Sequence, residues 1–193
     1  PLGSLDLLVC DVSGHGLASN VLMSAARAYL RALHLVESNP QKLIEKLNRL
    51  ITPDIPDDAF ATLVACRIGP GGDACYVSAG HLPPLVYRPR QGTFDSLEET
   101  DLILGYSTAT SYRAYQIDRL EPGDLVVLAT DGLYEAASPE GRLWGLDAVR
   151  EAIAAAAHEG AHGVIEALRA GVFGHSEKLF LADDITLLVA EKL

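Results

Sequence analysis

The order of the predicted elements constrains the fold of this chain more than any other feature of its sequence. Residues 5–11 are apolar almost throughout, which is typical of a strand covered on both faces, and they end at a turn with two glycines. Helices with apolar residues at helical spacing follow at residues 18–35 and 40–51. Two more helices, at residues 146–157 and 162–170, precede the last strand.

Strands joined by hairpin-type turns fill the middle of the chain. Residues 59–68 and 74–78 flank a Gly-Pro-Gly-Gly-Asp turn, which is typical of an antiparallel hairpin. The other predicted strands are residues 85–87, 112–117, 124–129 and 185–190. This order favours antiparallel sheets flanked by helices over alternating βαβ units, so the sequence predicts a strand-rich α+β fold.

The composition is that of one soluble globular domain, since 49% of the 193 residues are hydrophobic and 21% are charged. We assign residues 5–193 to this domain and residues 1–4, Pro-Leu-Gly-Ser, to the remnant of a cleaved expression tag. No stretch approaches the roughly 20 apolar residues of a membrane span, and no secretory signal is visible. We therefore expect a cytoplasmic protein.

Charge and cysteine usage exclude several classes of function. A net charge of −11 leaves no basic surface for nucleic acid, and suits cationic ligands such as metal ions better. The three cysteines, Cys10, Cys66 and Cys75, are odd in number and form no Cys-x-x-Cys motif. We expect buried thiols rather than disulfides or a zinc site.

Three acidic segments each follow a strongly apolar strand. They contain Asp11, Asp131 and the pair Asp183 and Asp184. Burying a cluster of carboxylates costs several kcal/mol, roughly, unless a cation compensates, and oxygen ligands without His or Cys fit Mg²⁺ or Mn²⁺. The alternative is that each aspartate caps a turn on its own.

The order of short motifs resembles that of metal-dependent PPM-type Ser/Thr phosphatases, in particular the bacterial sporulation-protein-E branch. The resemblance runs from about residue 5 to the C-terminus. The motifs are Asp11-Val12-Ser13-Gly14-His15-Gly16, Phe60-Ala61-Thr62, Ala79-Gly80-His81-Leu82-Pro83-Pro84, Leu104-Gly105, Pro122-Gly123-Asp124, Thr130-Asp131-Gly132-Leu133-Tyr134-Glu135 and Asp183-Asp184-Ile185-Thr186.

The resemblance implies an αββα sandwich of two antiparallel sheets with a two-metal site for Mn²⁺ or Mg²⁺. It assigns Asp11 as the bridging ligand, the Val12 carbonyl to the second metal, and Asp131 and Asp183 to the first. Asp184 is the alternative to Asp183. In this chemistry a water held by the metals attacks a phosphoserine or phosphothreonine directly, without a covalent phospho-enzyme.

The resemblance also implies partners. Phosphatases of this branch usually follow a sensor or receiver domain and dephosphorylate an anti-sigma-factor antagonist, and their first two helices act as a switch. Residues 18–35 and 40–51 occupy that place here. For the basic group that contacts phosphate, Arg27, Arg31 and Arg113 remain open alternatives.

One part of the family pattern is absent. Members usually carry a Gly-Gly-Asp segment upstream of the first acidic motif, and only residues 5–9 and Cys10 precede Asp11 here. We therefore expect the first strand or strands of the sandwich to be missing, the second metal to bind weakly, and turnover to be impaired. A sheet edge left open in this way invites dimerisation.

Two other classes of function are weighed against the enzyme. A phosphatase-like module that binds a regulatory partner without turnover is the main alternative. A nucleotide-binding domain built on Gly14-His15-Gly16 is weaker, because neither a Gly-x-Gly-x-x-Gly motif nor a P-loop lysine is present. We interpret His15 and His81 as turn residues rather than as catalytic or metal-binding groups.

Overall fold

The computed structural model describes residues 3–14, 16–56, 59–177 and 183–193. The chain divides into two compact units, each with its own sheet and its own pair of helices. The first unit comprises Pro1–Pro83 and Glu98–Arg119, and the second comprises Pro84–Leu97 and Leu120–Leu193.

The described residues form eight strands and four α-helices. The strands are β1 (Leu5–Val12), β2 (Ala61–Ile68), β3 (Ala74–Ala79), β4 (Leu85–Arg88), β5 (Thr93–Phe94), β6 (Tyr115–Ile117), β7 (Leu125–Ala129) and β8 (Leu187–Glu191). The helices are α1 (Leu17–His34), α2 (Pro40–Ile51), α3 (Gly145–Ala156) and α4 (Gly160–Ser176).

Both sheets are antiparallel throughout. The strand order is β1-β2-β3-β6 in the first unit and β5-β4-β7-β8 in the second. The predicted class, two antiparallel sheets flanked by helices, is therefore confirmed. Among the described residues β1 pairs only with β2 and lies at the edge of its sheet.

The first core lies between one face of the sheet and the pair α1 and α2. On α2 the buried residues Leu43, Ile44, Leu47 and Ile51 recur at helical spacing and pack against β2 and β3. Asn39 caps this helix, because its side-chain oxygen accepts a hydrogen bond from the Lys42 amide at 3.0 Å.

The second core is built in the same way from α3, α4 and the strands β4, β7 and β8. Val149 and Ile153 of α3 are fully buried, as are Val164 and Leu168 of α4. Helix α4 continues past the predicted end at residue 170 to Ser176, and Gly171 lets it approach Trp144 closely. A Cβ atom at Gly171 would lie 2.5 Å from the Trp144 ring.

Several predicted strands begin later than the sequence pattern suggests, and the structure gives the reason for two of them. The strand predicted at 112–117 begins at Tyr115, because the Arg113 amide donates to the Asp101 carboxylate at 2.7 Å instead of to a neighbouring strand. The strand predicted at 185–190 is Leu187–Glu191, because the Thr186 amide donates to the Thr130 hydroxyl.

The described cysteines form no disulfide. Cys66 is buried as predicted, and burial raises the pKa of its thiol to about 12, whereas Cys10 and Cys75 are half-buried. No helix in the described ranges is long and apolar enough to cross a membrane.

Candidate functional site

The first acidic motif lies at the end of β1. Asp11 is half-buried and pairs with Thr62 of β2, and Val12 is buried opposite Ala61. The adjacent Cys10 thiol has its pKa raised to about 12 by burial and by the negative charge of Asp11. It therefore stays protonated at neutral pH.

The turn after β1 is held by its own backbone and by two serines. The Ser13 amide donates to the Phe60 carbonyl at 2.9 Å, and the Phe60 amide donates to the Ser13 hydroxyl at 2.8 Å. Ser19 of α1 donates to the Ser13 carbonyl at 3.2 Å.

Gly14 and Gly16 have φ angles of 82° and 95°, which favour glycine. His15 lies outside the described residues, so its predicted role stays a prediction.

A cavity of about 280 Å³ opens beside this turn. Its walls include Val12, Ser13, Ser19, Leu22 and Phe60. The first metal motif therefore borders a space that is lined by both apolar and hydroxyl groups.

The second acidic motif follows β7, whose five residues are all buried. Thr130 is also buried, and the chain then emerges at Asp131, which is exposed and begins a single 3₁₀ turn. The Asp131 carbonyl accepts hydrogen bonds from the amides of Tyr134 and Glu135, both at 2.8 Å. Its carboxylate has no hydrogen bond or ion pair to the described residues.

The third acidic motif lies against the second. The Thr130 amide donates to the Thr186 carbonyl at 3.1 Å, and the Thr130 hydroxyl donates to the Asp184 carbonyl at 3.2 Å. A Cβ atom at Gly132 would lie 2.5 Å from the Asp184 carbonyl oxygen, so only glycine permits this approach. The Asp184 amide donates to the Asp183 carboxylate at 2.8 Å.

The structure thus brings the chain segments that contain Asp131, Asp183 and Asp184 into contact in the second unit. Asp11 and Val12 belong to the first unit. Within the described ranges no three His, Cys, Asp or Glu side chains are grouped closely enough to hold an ion. The donor chemistry of Asp131 and Asp183 nevertheless fits a hard cation, because both supply carboxylate oxygen and both are exposed.

His81 holds a turn, in agreement with its interpretation from the sequence. It is buried, and its Nδ1 atom lies 2.8 Å from the Thr62 hydroxyl oxygen. Ser78 donates to the His81 carbonyl at 2.5 Å. Gly80, with a φ of 69°, faces Ile103, and a Cβ atom at this position would lie 2.3 Å from that side chain.

The candidates for phosphate contact differ in their surroundings. Arg113 is paired with Asp101 at 3.3 Å and lies over the Tyr115 ring, and its hydrogen bond to Asp101 raises the pKa of the guanidinium. Arg27 and Arg31 are exposed on α1 and have no hydrogen bond or ion pair to the described residues. Arg113 therefore already has a structural role, whereas Arg27 and Arg31 have no such partner in the part of the chain that the structure describes.

Sequence reasoning missed a buried ion-pair network in the second unit. Arg88 makes two hydrogen bonds to Asp95, at 2.9 and 2.6 Å, and one to Asp124 at 2.6 Å. Asp124 belongs to the Pro-Gly-Asp motif, and its carboxylate also accepts from the Glu121 amide at 2.7 Å. An arginine inside an apolar strand was the available signal, since such a charge requires partners.

Comparison with known proteins gives one curated relative and a set of solved structures. Phosphoserine phosphatase RsbU of Bacillus subtilis (strain 168) is 27% identical over 193 residues, which cover 98% of this chain and 56% of that protein. The chain thus spans about half the length of the curated relative it matches.

Three solved structures support the fold assignment. The RsbU and RsbW domains of Rv1364c from Mycobacterium tuberculosis are 27% identical, with a TM-score of 0.76 over 96% of this chain and 51% of that chain. The SiaA-PP2C domain of Pseudomonas aeruginosa is 18% identical, with a TM-score of 0.80 over 98% of this chain and 80% of that chain, and shows the PP2C fold.

The third structure is the catalytic domain of serine threonine protein phosphatase PstP in complex with two manganese ions. It is 21% identical, with a TM-score of 0.62 over 96% of this chain and 86% of that chain, and shows the same fold. The model of the family described as stage II sporulation protein E (SpoIIE) matches residues 1–192. This chain therefore belongs to the stage II sporulation protein E family.

Proposed function

We propose that the chain is the catalytic part of a metal-dependent protein phosphatase acting on phosphoserine or phosphothreonine. The observation that carries the proposal is the contact between the second and third acidic motifs, in which the Asp131-Gly132 turn lies against the Asp183-Asp184 segment. The family match over residues 1–192 and the likeness to a phosphoserine phosphatase support the same chemistry.

We assign the metal ligands as the sequence motifs do. Asp11, Asp131 and Asp183 would bind through their carboxylates and Val12 through its carbonyl, with Asp184 as the alternative to Asp183. The ions would be Mn²⁺ or Mg²⁺, in keeping with the two manganese ions of the PstP complex. When bound, such ions neutralise phosphate charge and lower the pKa of water.

The surroundings of Cys66 and Ser13 support hydrolysis by water rather than by either of these side chains. The Cys66 thiol is buried with its pKa raised to about 12, so it is not available as a thiolate at neutral pH. The Ser13 hydroxyl accepts a hydrogen bond from the Phe60 amide and so has a structural role.

For the substrate, we propose a regulatory phosphoprotein, namely an anti-sigma-factor antagonist, dephosphorylated in the cytoplasm. The likeness to RsbU and to a structure that contains RsbU and RsbW domains supports this choice. We further propose that an upstream sensor or receiver domain controls activity through α1 and α2. Helix α1 begins at Leu17, just after the turn that follows Asp11, and its Ser19 donates to the Ser13 carbonyl of that turn, so a shift of α1 would displace the turn beside this ligand.

The proposal is tested by hydrolysis of a phosphoserine peptide while Mn²⁺ is titrated from zero. We expect Mn²⁺-dependent turnover that falls at least about 100-fold in Asp131→Asn, because this substitution removes one carboxylate charge from the site. The matched control is Asp147→Asn, which changes an exposed aspartate on α3 whose side chain is 97% exposed. The control should keep the activity of the unmodified protein.

The same assay separates the enzyme from a phosphatase-like binding module. A module would bind the phosphopeptide but leave it intact at every Mn²⁺ concentration. Turnover that is equal in Asp131→Asn and in the unmodified protein would contradict the proposed ligand assignment.

A further inference from the structure

A hydrogen bond between a half-buried threonine and a buried histidine in the first unit has no role in the proposed function. The Thr62 hydroxyl oxygen, near the start of β2, lies 2.8 Å from Nδ1 of His81. His81 is only 6% exposed. Thr62 is half-buried, so this hydrogen bond pairs a buried ring with a hydroxyl at the edge of the buried region.

The register of the sheet places this pair beside Asp11. Asp11 of β1 and Thr62 of β2 are direct partners in the antiparallel ladder. The side chains of such partners lie on the same face of a sheet, with Cβ atoms about 5 Å apart. The next pair on this face is Val9 and Val64, which are 2% and 0% exposed. The Thr62 hydroxyl is thus a polar neighbour of Asp11 on a largely apolar face.

His81 is itself held in a fixed position. Ser78 donates to its carbonyl at 2.5 Å, and the Gly80 amide donates to the Asp101 carbonyl at 2.9 Å. These bonds anchor the turn that follows β3. A ring on a rigid turn fixes the orientation of the hydroxyl to which it is hydrogen-bonded.

We propose that Thr62 and His81 are positioning residues for Asp11. The Nδ1–H group of His81 donates to the Thr62 oxygen, and the Thr62 hydroxyl proton then points to the Asp11 carboxylate and fixes its orientation. The inference rests on the proposed function, in which Asp11 is a metal ligand. Loss of a group that orients a metal ligand typically reduces metal affinity about 10–100-fold.

The test measures Mn²⁺ binding by calorimetry and the electron paramagnetic resonance spectrum of the bound ion. Thr62→Val keeps the shape of the side chain and removes the hydroxyl, and we expect about tenfold weaker Mn²⁺ binding and a changed spectrum. Thr62→Ser keeps the hydroxyl and should restore both. Thr93→Val, at an exposed threonine of β5, is the matched control and should bind Mn²⁺ like the unmodified protein.

A second pair of variants keeps the proposal testable if Thr62→Val does not fold. His81→Leu removes the hydrogen bond and should weaken Mn²⁺ binding, whereas His81→Asn, which carries an amide near the position of Nδ1, should retain most of the affinity. Thermal unfolding of each variant separates a positioning role from general destabilisation.

The outcomes distinguish this inference from the proposed function. If Asp11→Asn loses Mn²⁺ affinity while Thr62→Val and His81→Leu keep it, the positioning role is wrong and the ligand assignment stands. Equal losses in Thr62→Val and Thr62→Ser would also overturn the role of the hydroxyl. If the unmodified protein binds no Mn²⁺, or if Asp11→Asn binds Mn²⁺ as tightly as the unmodified protein, the proposed metal site fails, and this inference fails with it.

Discussion

Arg88 carries a full charge in a buried position of the second unit. It is 5% exposed, its partner Asp124 is 3% exposed, and its hydrogen bonds to Asp95 raise the pKa of the guanidinium further. Such a network is sensitive to the loss of one member, because the remaining charges stay buried without compensation.

We predict that Arg88→Met lowers the free energy of unfolding by about 3–5 kcal/mol, measured by urea denaturation. The substitution leaves the carboxylates of Asp95 and Asp124 without their partner. Arg90→Met is the matched control, because Arg90 and Glu121 form a pair with side chains 64% and 61% exposed. Exposed pairs contribute about 0–1 kcal/mol, so equal effects of the two substitutions would refute this view of the network.

At the scale of elements, α2 shows how a local signal and a packed face act together. Its buried face is anchored in the first core, and its first turn is closed by the Asn39 side chain. Pro40 at the first helical position requires no amide partner, so the cap serves the amides that follow.

We predict that Asn39→Ala lowers the free energy of unfolding by about 1 kcal/mol, because the Lys42 amide loses its acceptor. Asn39→Asp should retain the stability, since aspartate caps helices about as well as asparagine. Urea denaturation of both variants measures the difference. An unchanged midpoint in Asn39→Ala would show that packing alone holds the start of α2.

For the whole molecule, a buried thiol and a buried phenol determine how the free energy of unfolding changes at alkaline pH. Burial raises the pKa of Cys66 from 9.0 to about 12 and that of Tyr134 from 10.0 to about 12. At a pH between the ordinary pKa of each group and its raised pKa, the group loses its proton in the unfolded chain and keeps it in the folded protein. The unfolded state then binds fewer protons, and the free energy of unfolding falls as the pH rises.

We predict that stability decreases steadily above about pH 9, with each such group contributing about 1.4 kcal/mol per pH unit. Cys66→Ala removes one of these groups, so its stability should fall less steeply between pH 10 and 11 by about this amount. Urea denaturation at a series of pH values gives both slopes. Identical slopes would mean that Cys66 ionises in the folded protein.

The sequence by itself determined the local elements, the fold class and the position of the three acidic motifs. Helical spacing of apolar residues predicted α2 with both of its boundaries, because an amphipathic period is a property of adjacent residues. The position of Asp131 after an apolar run predicted a carboxylate at the end of a buried strand, which β7 confirms. The ordered motifs predicted the family, which the family model confirms over residues 1–192.

Only the tertiary structure decided which distant residues meet. It placed Asp131 beside Asp183 through Thr130 and Thr186, and it paired Arg88 with Asp124 and Thr62 with His81. These partners are between 19 and 56 positions apart. Their contact depends on strand register and on the path of the turns, which determine where buried polar groups find partners, and no local pattern in the sequence encodes that choice.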